Sequence, residues 1–220
     1  SRPLADIIRE ANCLVKKGFK ELVLTGINLG SYGKDLEQEN RFAITYRDFR
    51  SGRFLYFPIP QKISLVDVID ALEGIEELLR IRLSSIEAGD VSDELISRIS
   101  KSSKICRHLH IPIQSGDNKI LKKMNRRYSR NDYLNLVTKL KKLIPGIAIT
   151  TDCLIGFPGE SEKNFANTID LVRKIIPLKV HIFPYSERPG TIASNLVNKV
   201  NRLVIKERMV RLQKASSGLA

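Results

Sequence analysis

Short apolar runs alternate with longer amphipathic ones along this chain. The runs at 21–26, 80–86, 108–113, 147–155 and 180–185 have the length and β-branched content of strands. Between them, apolar residues recur three or four apart over 3–17, 65–80, 93–101, 118–124, 130–144, 161–176 and 198–214, the spacing of helices with one buried face. Ser64 followed by Asp67, and Ser129 followed by Asp132, are capping-box variants: the hydroxyl accepts from a free helix amide and the carboxylate reaches back. Strands alternating with helices of this length predict parallel pairing through right-handed crossovers. The predicted class is α/β.

The stretch 34–62 breaks the rhythm. It alternates aromatic and charged residues on either side of Ser51-Gly52, and it reads as a β-hairpin inserted after the first strand. Elsewhere, alternation along the strands separates a helix-facing side from an interior one. Leu109, Ile111 and Ile113 share one side, and His108, His110 and Gln114 the other. Ala148, Thr150 and Asp152 oppose Ile147, Ile149 and Thr151; His181, Phe183 and Tyr185 oppose Val180 and Ile182; Arg82 and Ser84 oppose Ile81 and Leu83. A closed barrel fills its interior with Val, Ile and Leu, so a polar interior predicts an open one around a large ligand. Beyond the strand ends lie Thr25-Gly-Ile-Asn28, Ser84-Ser-Ile-Glu87, Gln114-Ser-Gly116, Asp152 with Gly156-Phe-Pro-Gly-Glu160, and Tyr185-Ser186. Active sites of parallel α/β folds lie at such rims, where glycines admit a ligand to backbone amides and Asn, Gln, Ser and carboxylates offer donors and acceptors. Each glycine taken singly is also what an ordinary turn needs.

Composition narrows the partners. Of 220 residues, 42% are hydrophobic and 28% charged, which excludes disorder and is enough for a real core. Charged residues interrupt every apolar run short of the roughly 18 residues of a membrane span. The 37 Lys and Arg against 24 Asp and Glu leave +13, pointing to an anionic partner, of which a polyphosphate backbone is the commonest. Cys13, Cys106 and Cys153 have neither metal-binding spacing nor an even disulfide count, which fits a reducing, cytoplasmic setting. Ser1 in place of methionine, running straight into a helix, reads as a piece of a longer chain. Cys106, His108 and His110 share one parity and are a weak candidate metal trio. The run 122–130 holds Lys122, Lys123, Arg126, Arg127 and Arg130 without a carboxylate, which suits either a phosphate or a solvated turn. No P-loop, GxGxxG or Ser-His-Asp order supports a nucleotidase, dehydrogenase or hydrolase.

Taken together, Leu24-Thr-Gly-Ile-Asn-Leu-Gly-Ser-Tyr-Gly33, Arg82-Leu-Ser-Ser-Ile-Glu87, His108-Leu-His-Ile-Pro-Ile-Gln-Ser-Gly116, Met124-Asn-Arg-Arg-Tyr128, Thr151-Asp-Cys-Leu-Ile-Gly-Phe-Pro-Gly-Glu160 and His181-Ile-Phe-Pro-Tyr-Ser-Glu-Arg-Pro-Gly-Thr191 resemble the radical SAM methylthiotransferases over nearly the whole chain. The first two are most similar to the branch acting on N6-threonylcarbamoyladenosine at position 37 of tRNA. The resemblance implies a partial (βα)6 TIM-type barrel over 1–197, with 34–62 inserted and 198–220 forming a helix that leads towards a tRNA-binding domain. It implies S-adenosylmethionine, 4Fe-4S clusters and an electron donor, with tRNA as substrate and a methylthio group placed at C2 of the adenine. It also implies cluster cysteines on a loop after a first strand, both upstream of Ser1, so no metal ligand is expected here and this piece alone is expected to be inactive. Carried over by motif, Thr25, Gly26 and Asn28 lie near the methionine end of the cofactor and Ser85 and Glu87 near its ribose. Gln114, Ser115 and Gly116 lie on the next rim, and Arg126 faces its carboxylate. Asp152, Gly156, Phe157, Pro158, Gly159 and Glu160 shape the substrate side, with Tyr185, Ser186 and Arg188 near the nucleotide. The same motifs leave open a methylthiotransferase acting on isopentenyladenosine in tRNA or on a ribosomal protein. A noncatalytic tRNA-binding fragment is the rival outside the family.

Overall fold

Leu4, Ala11 and Val15 recur on one face of helix α1 (Leu4–Lys16) and are the residues it buries. In the computed structural model this helix opens a chain described over 1–36 and 63–217, with the backbone of 44–47 and 54–57. The chain divides into two compact units, Ser1–Ser84 with Asp93–Cys106, and Ser85–Ser92 with Arg107–Ala220.

In the first unit α1 leads to β1 (Glu21–Leu24), to the antiparallel pair β2 (Ile44–Arg47) and β3 (Phe54–Phe57), then to α2 (Leu65–Glu73), β4 (Arg80–Leu83) and α3 (Asp93–Lys101). The turn expected at Ser51-Gly52 lies outside the described residues. β1 and β4 pair in parallel from Glu21 opposite Arg80 to Leu24 opposite Leu83, and Ile105 bridges Ile81 on the far side. Ser64 and Asp67 form the predicted capping box at the start of α2. That helix stops well before the expected residue 80. Gly74 takes the cap position, and the amides of Leu79 and Arg80 turn to the Lys20 carbonyl to begin β4. Lys104 Nζ lies 2.9 Å from the Glu73 carbonyl and 2.7 Å from that of Ile75, satisfying the free carbonyls of the helix end. Arg98 of α3 pairs with Asp70 and Glu73 of α2, over a core of Ile69, Leu72, Ile81, Leu83, Ile96 and Ile99.

The second unit runs β5 (His108–His110), α4 (Asn118–Lys123), α5 (Arg130–Leu143), β6 (Ala148–Ile155), α6 (Glu162–Ile175), β7 (Lys179–Pro184) and α7 (Arg202–Ser216). The sheet order β5-β6-β7 is parallel throughout, as the alternation predicts. β5 is shorter than expected because the next amide that faces β6, that of Ile113, goes to a side-chain hydroxyl and not to a backbone carbonyl. Its continuation is tied by other groups: Ile111 N donates to Thr150 O, Ile113 N to Thr151 Oγ1, and Tyr133 Oη to Ile111 O. Tyr128 Oη donates to Pro112 O at 3.1 Å, and burial pushes its phenol up to about 12, so it stays a donor. α7 begins later than expected, since Asn198 has left-handed backbone and Asn201 caps the helix through Leu203 N. Leu109, Ile149, Phe165, Leu171 and Val172 are buried in the core between this sheet and its helices.

Candidate functional site

The polar side of the β5-β6-β7 sheet gathers what alternation assigns to it. Leu109, Ile111, Ile113, Ile149, Cys153 and Ile155 are buried on the helix side. On the other side Thr150 Oγ1 lies 3.0 Å from His108 Nε2 and 2.8 Å from His110 Nδ1. A hydroxyl carries one proton, so it accepts from one imidazole and donates to the other. His110 Nε2 is 3.1 Å from Asp152 Oδ1, and the rings of His110 and His181 meet edge-on at 5.7 Å. The register that sets Asp152 opposite His181 makes this meeting possible. Of these, the family motifs assign only Asp152; parity alone places His110 and His181 here. The trio Cys106–His108–His110 does not form: the cluster of potential ligands among the described residues takes His110 with Asp152 and His181, because neighbouring strands bring ligands closer than one strand can.

At the rim, Gln114 has a φ of 60° yet is pinned to β6 by both backbone groups, its N–H to Asp152 O at 2.8 Å and its carbonyl to Leu154 N at 2.9 Å. Ser115 is buried and its Oγ accepts from Asp117 N, so it shapes the turn. Gly116 N donates to Thr168 Oγ1 of α6 at 2.9 Å. Asp117 then caps α4 through the amides of Lys119 and Ile120 and accepts from Asn167. Burial works to raise its carboxyl, but Asn164, Asn167 and the two amides outweigh it and hold the group below the usual carboxylate range. Asp117→Ala should therefore cost about 1 kcal/mol of unfolding free energy at neutral pH. Because the folded group titrates below the unfolded one, that stabilisation is present above the unfolded value of about 3.9 and is lost as pH falls from there through the lower folded value. Urea unfolding of both proteins at neutral pH and near pH 3 measures the difference.

After β6 the chain turns sharply through Gly156-Phe-Pro-Gly-Glu160. Gly156 has a φ of 82°, and a Cβ there would lie 2.4 Å from Ile205 of α7. Glu160 folds back so that its Oε2 accepts from Gly156 N at 2.8 Å, while Arg208 Nη1 of α7 donates to the Glu160 carbonyl and to Oε2. Burial pushes the Glu160 carboxyl up, against the pull of the Gly156 amide and the Arg208 charge. Glu160 thus faces inward, where it holds the turn. Pro158 is buried too, and Phe157 meets Tyr185 edge-on at 5.4 Å. Tyr185 Oη is buried with no partner among the described residues. Ser186 and Arg188 are exposed.

Glu87 Oε1 and Arg126 Nη1 form a half-exposed ion pair at 2.6 Å, and Arg126 Nε is buried without a partner among the described residues. Arg126 joins Gln114, Met124, Leu154, Phe157 and Ile192 around a cleft of about 310 Å³. So Gln114, Arg126 and Phe157, predicted from separate motifs, line one cleft, and Asp152 lies apart with the histidines. Ser85 is exposed in this unit; Thr25, Gly26 and Asn28 are exposed beyond β1 in the other.

A family model described as the Radical SAM superfamily matches residues 1–172. The tRNA-2-methylthio-N(6)-dimethylallyladenosine synthase of Thermoanaerobacter pseudethanolicus is 43% identical over 96% of this chain and 40% of its own. The threonylcarbamoyladenosine tRNA methylthiotransferase MtaB of Bacillus subtilis is 40% identical over 100% of this chain and 44% of its own. The chain thus spans less than half the length of these relatives. Among solved structures, the radical S-adenosylmethionine methyltransferase TsrM of Kitasatospora setae, with cobalamin and a [4Fe-4S] cluster bound, superposes with a TM-score of 0.63 at 15% identity, over 88% of this chain and 33% of that one. At that identity the likeness speaks for the fold alone.

Proposed function

The chain belongs to the radical SAM superfamily, and from that premise we propose that it is the catalytic core of a tRNA methylthiotransferase that modifies N6-threonylcarbamoyladenosine. The observation that carries the reading is sequence identity of 40% or more, over nearly all of this chain, to two proteins named for 2-methylthio modification or methylthio transfer on tRNA adenosines. The Thr25-Gly-Ile-Asn28 and Ser84-Ser-Ile-Glu87 versions of the motifs favour the threonylcarbamoyl substrate. The 43% identity to a dimethylallyladenosine synthase favours the isopentenyl nucleoside as the second reading. The +13 charge suits a polyanionic partner, and a tRNA substrate puts the work in the cytoplasm. No helix among the described residues is long and apolar enough to cross a membrane.

Superfamily membership implies S-adenosylmethionine and a 4Fe-4S cluster, which when bound supply the radical chemistry and the methyl group. The residues present fit the first. Arg126 offers a buried, unpartnered Nε beside a cleft walled by Gln114, Leu154 and Phe157, and Glu87 keeps its guanidinium in place. These residues would hold the methionine carboxylate and part of the adenosyl group and keep water away from it. They do not fit the second: Cys13 is exposed, Cys106 half-buried and Cys153 buried, and the described residues bring no group of cysteines together.

The test is anaerobic reconstitution of the full-length protein, incubation with tRNA from cells lacking the modification, and mass spectrometry of the nucleosides. Methylthio label on threonylcarbamoyladenosine is expected. Label on isopentenyladenosine would move the protein to the second reading, and label on neither would overturn both. In the same enzyme Glu87→Ala should weaken S-adenosylmethionine binding about tenfold, the loss of one charge-assisted contact. Unchanged affinity by calorimetry would take Glu87 out of the site.

A further inference from the structure

The histidines on the polar side of β5-β6-β7 have no part in the reading above, yet they converge. One potential ligand atom from each of His110, Asp152 and His181 lies within 4.8 Å of the others, and all three side chains are half-buried. Each comes from a different strand: His110 from β5, Asp152 from β6 and His181 from β7. The geometry points to a binding site for one divalent transition-metal ion, zinc or iron(II), held by His110, Asp152 and His181. Two imidazoles and a carboxylate form the borderline donor set that such ions take, and the absence of a cysteine from the cluster argues against a soft ion such as copper(I).

Three features of the site support this. An ion bound at about 2.0–2.1 Å in tetrahedral geometry needs its ligand atoms about 3.4 Å apart. His110 Nε2 and Asp152 Oδ1, at 3.1 Å, already have nearly that spacing, and a ring nitrogen of His181 lies within 4.8 Å of the ligand atoms of the other two. Thr150 Oγ1 holds His110 by Nδ1 at 2.8 Å, the outer contact that fixes a ligating ring and turns its other nitrogen to the metal. Finally, a proton between His110 and Asp152 serves that one contact alone, whereas a metal ion would be partner to the carboxylate and to both imidazoles at once. Three protein ligands leave a coordination position for water or for an oxygen of a bound molecule.

The full chain, stripped with chelator, is titrated with cobalt(II) as a spectroscopic probe and with zinc against a chromophoric competitor. The expected result is one equivalent bound, with ligand-field bands of nitrogen and oxygen coordination and no thiolate charge transfer. His181→Ala and Asp152→Asn should each weaken zinc at least about tenfold, and Thr150→Val, which touches no ligand position, about tenfold through the lost orientation. Circular dichroism verifies that the variants fold. The double substitution of Cys13 and Cys106 by Ser should leave binding as it was. Thiolate charge transfer, binding indifferent to His181→Ala, or no stoichiometric binding would each overturn the site and leave His110 and Asp152 as a close pair beside an uninvolved His181. None of these readouts needs an iron–sulfur cluster or tRNA, so failure here is separate from failure of the transferase reading.

Discussion

Arg208→Ala is expected to lower the unfolding free energy by about 3–5 kcal/mol, the cost of leaving one partner of a buried ion pair alone. The side chains of Arg208 and Glu160 are only 5% and 0% exposed, so water cannot replace the lost contact. The guanidinium also lies over the Phe165 ring, 5.4 Å from its centroid, adding a packing loss to the electrostatic one. Denaturant unfolding measures the change. The pair itself need not favour folding over an apolar replacement of similar size, so Glu160→Gln with Arg208→Met should recover most of the loss, since the amide still accepts from Gly156 N. A double variant as unstable as the single one would place the cost in packing and not in charge. Function is tied to the same contact, because the turn that Arg208 secures carries Phe157 into the cleft beside Gln114 and Arg126.

Gly116→Ala is the second large effect, at about 3 kcal/mol, the upper end of overpacking. A Cβ there would lie 2.5 Å from Thr168 Cα and 2.7 Å from Asn167 O, both backbone atoms of α6. No flexible side chain can give way, so the segment after β5 must back off from the helix and break the bond from Gly116 N to Thr168 Oγ1. Gln114, two residues earlier, would move with it. Gly89→Ala is the control: nothing lies within 4 Å of its Cβ position, and a change within about 0.5 kcal/mol is expected. Thermal or urea unfolding giving the two variants equal stability would refute the close approach.

How far these features are legible in the sequence differs from residue to residue. The capping boxes at Ser64 and Ser129 are local, four residues long, and form as read. The buried side of β5 and β6 follows from alternation, because a pleated strand has only two sides. The end of α2 at Glu73 is not legible in the same way. Helical periodicity continues past Gly74, and the helix end is met by Lys104, distant in the chain, whose Nζ takes the Glu73 and Ile75 carbonyls, while the Lys20 carbonyl takes the amides of Leu79 and Arg80 into β4. Glu160 shows the same limit in the site. Its motif marks it, but only α7, folded back against the turn, turns its carboxylate inward to Arg208.

The sequence by itself determines the α/β class, the parallel strands, which strand side is polar and, through its motifs, the superfamily. These depend on contacts within a few residues or on a period repeated along one element. The tertiary structure decides the rest: that Gln114, Arg126 and Phe157 line one cleft, that Glu160 belongs to Arg208, and that His110, Asp152 and His181 meet. Those depend on strand register and helix docking, where the partners are dozens of residues apart and a shift of one residue would turn each side chain to the opposite side.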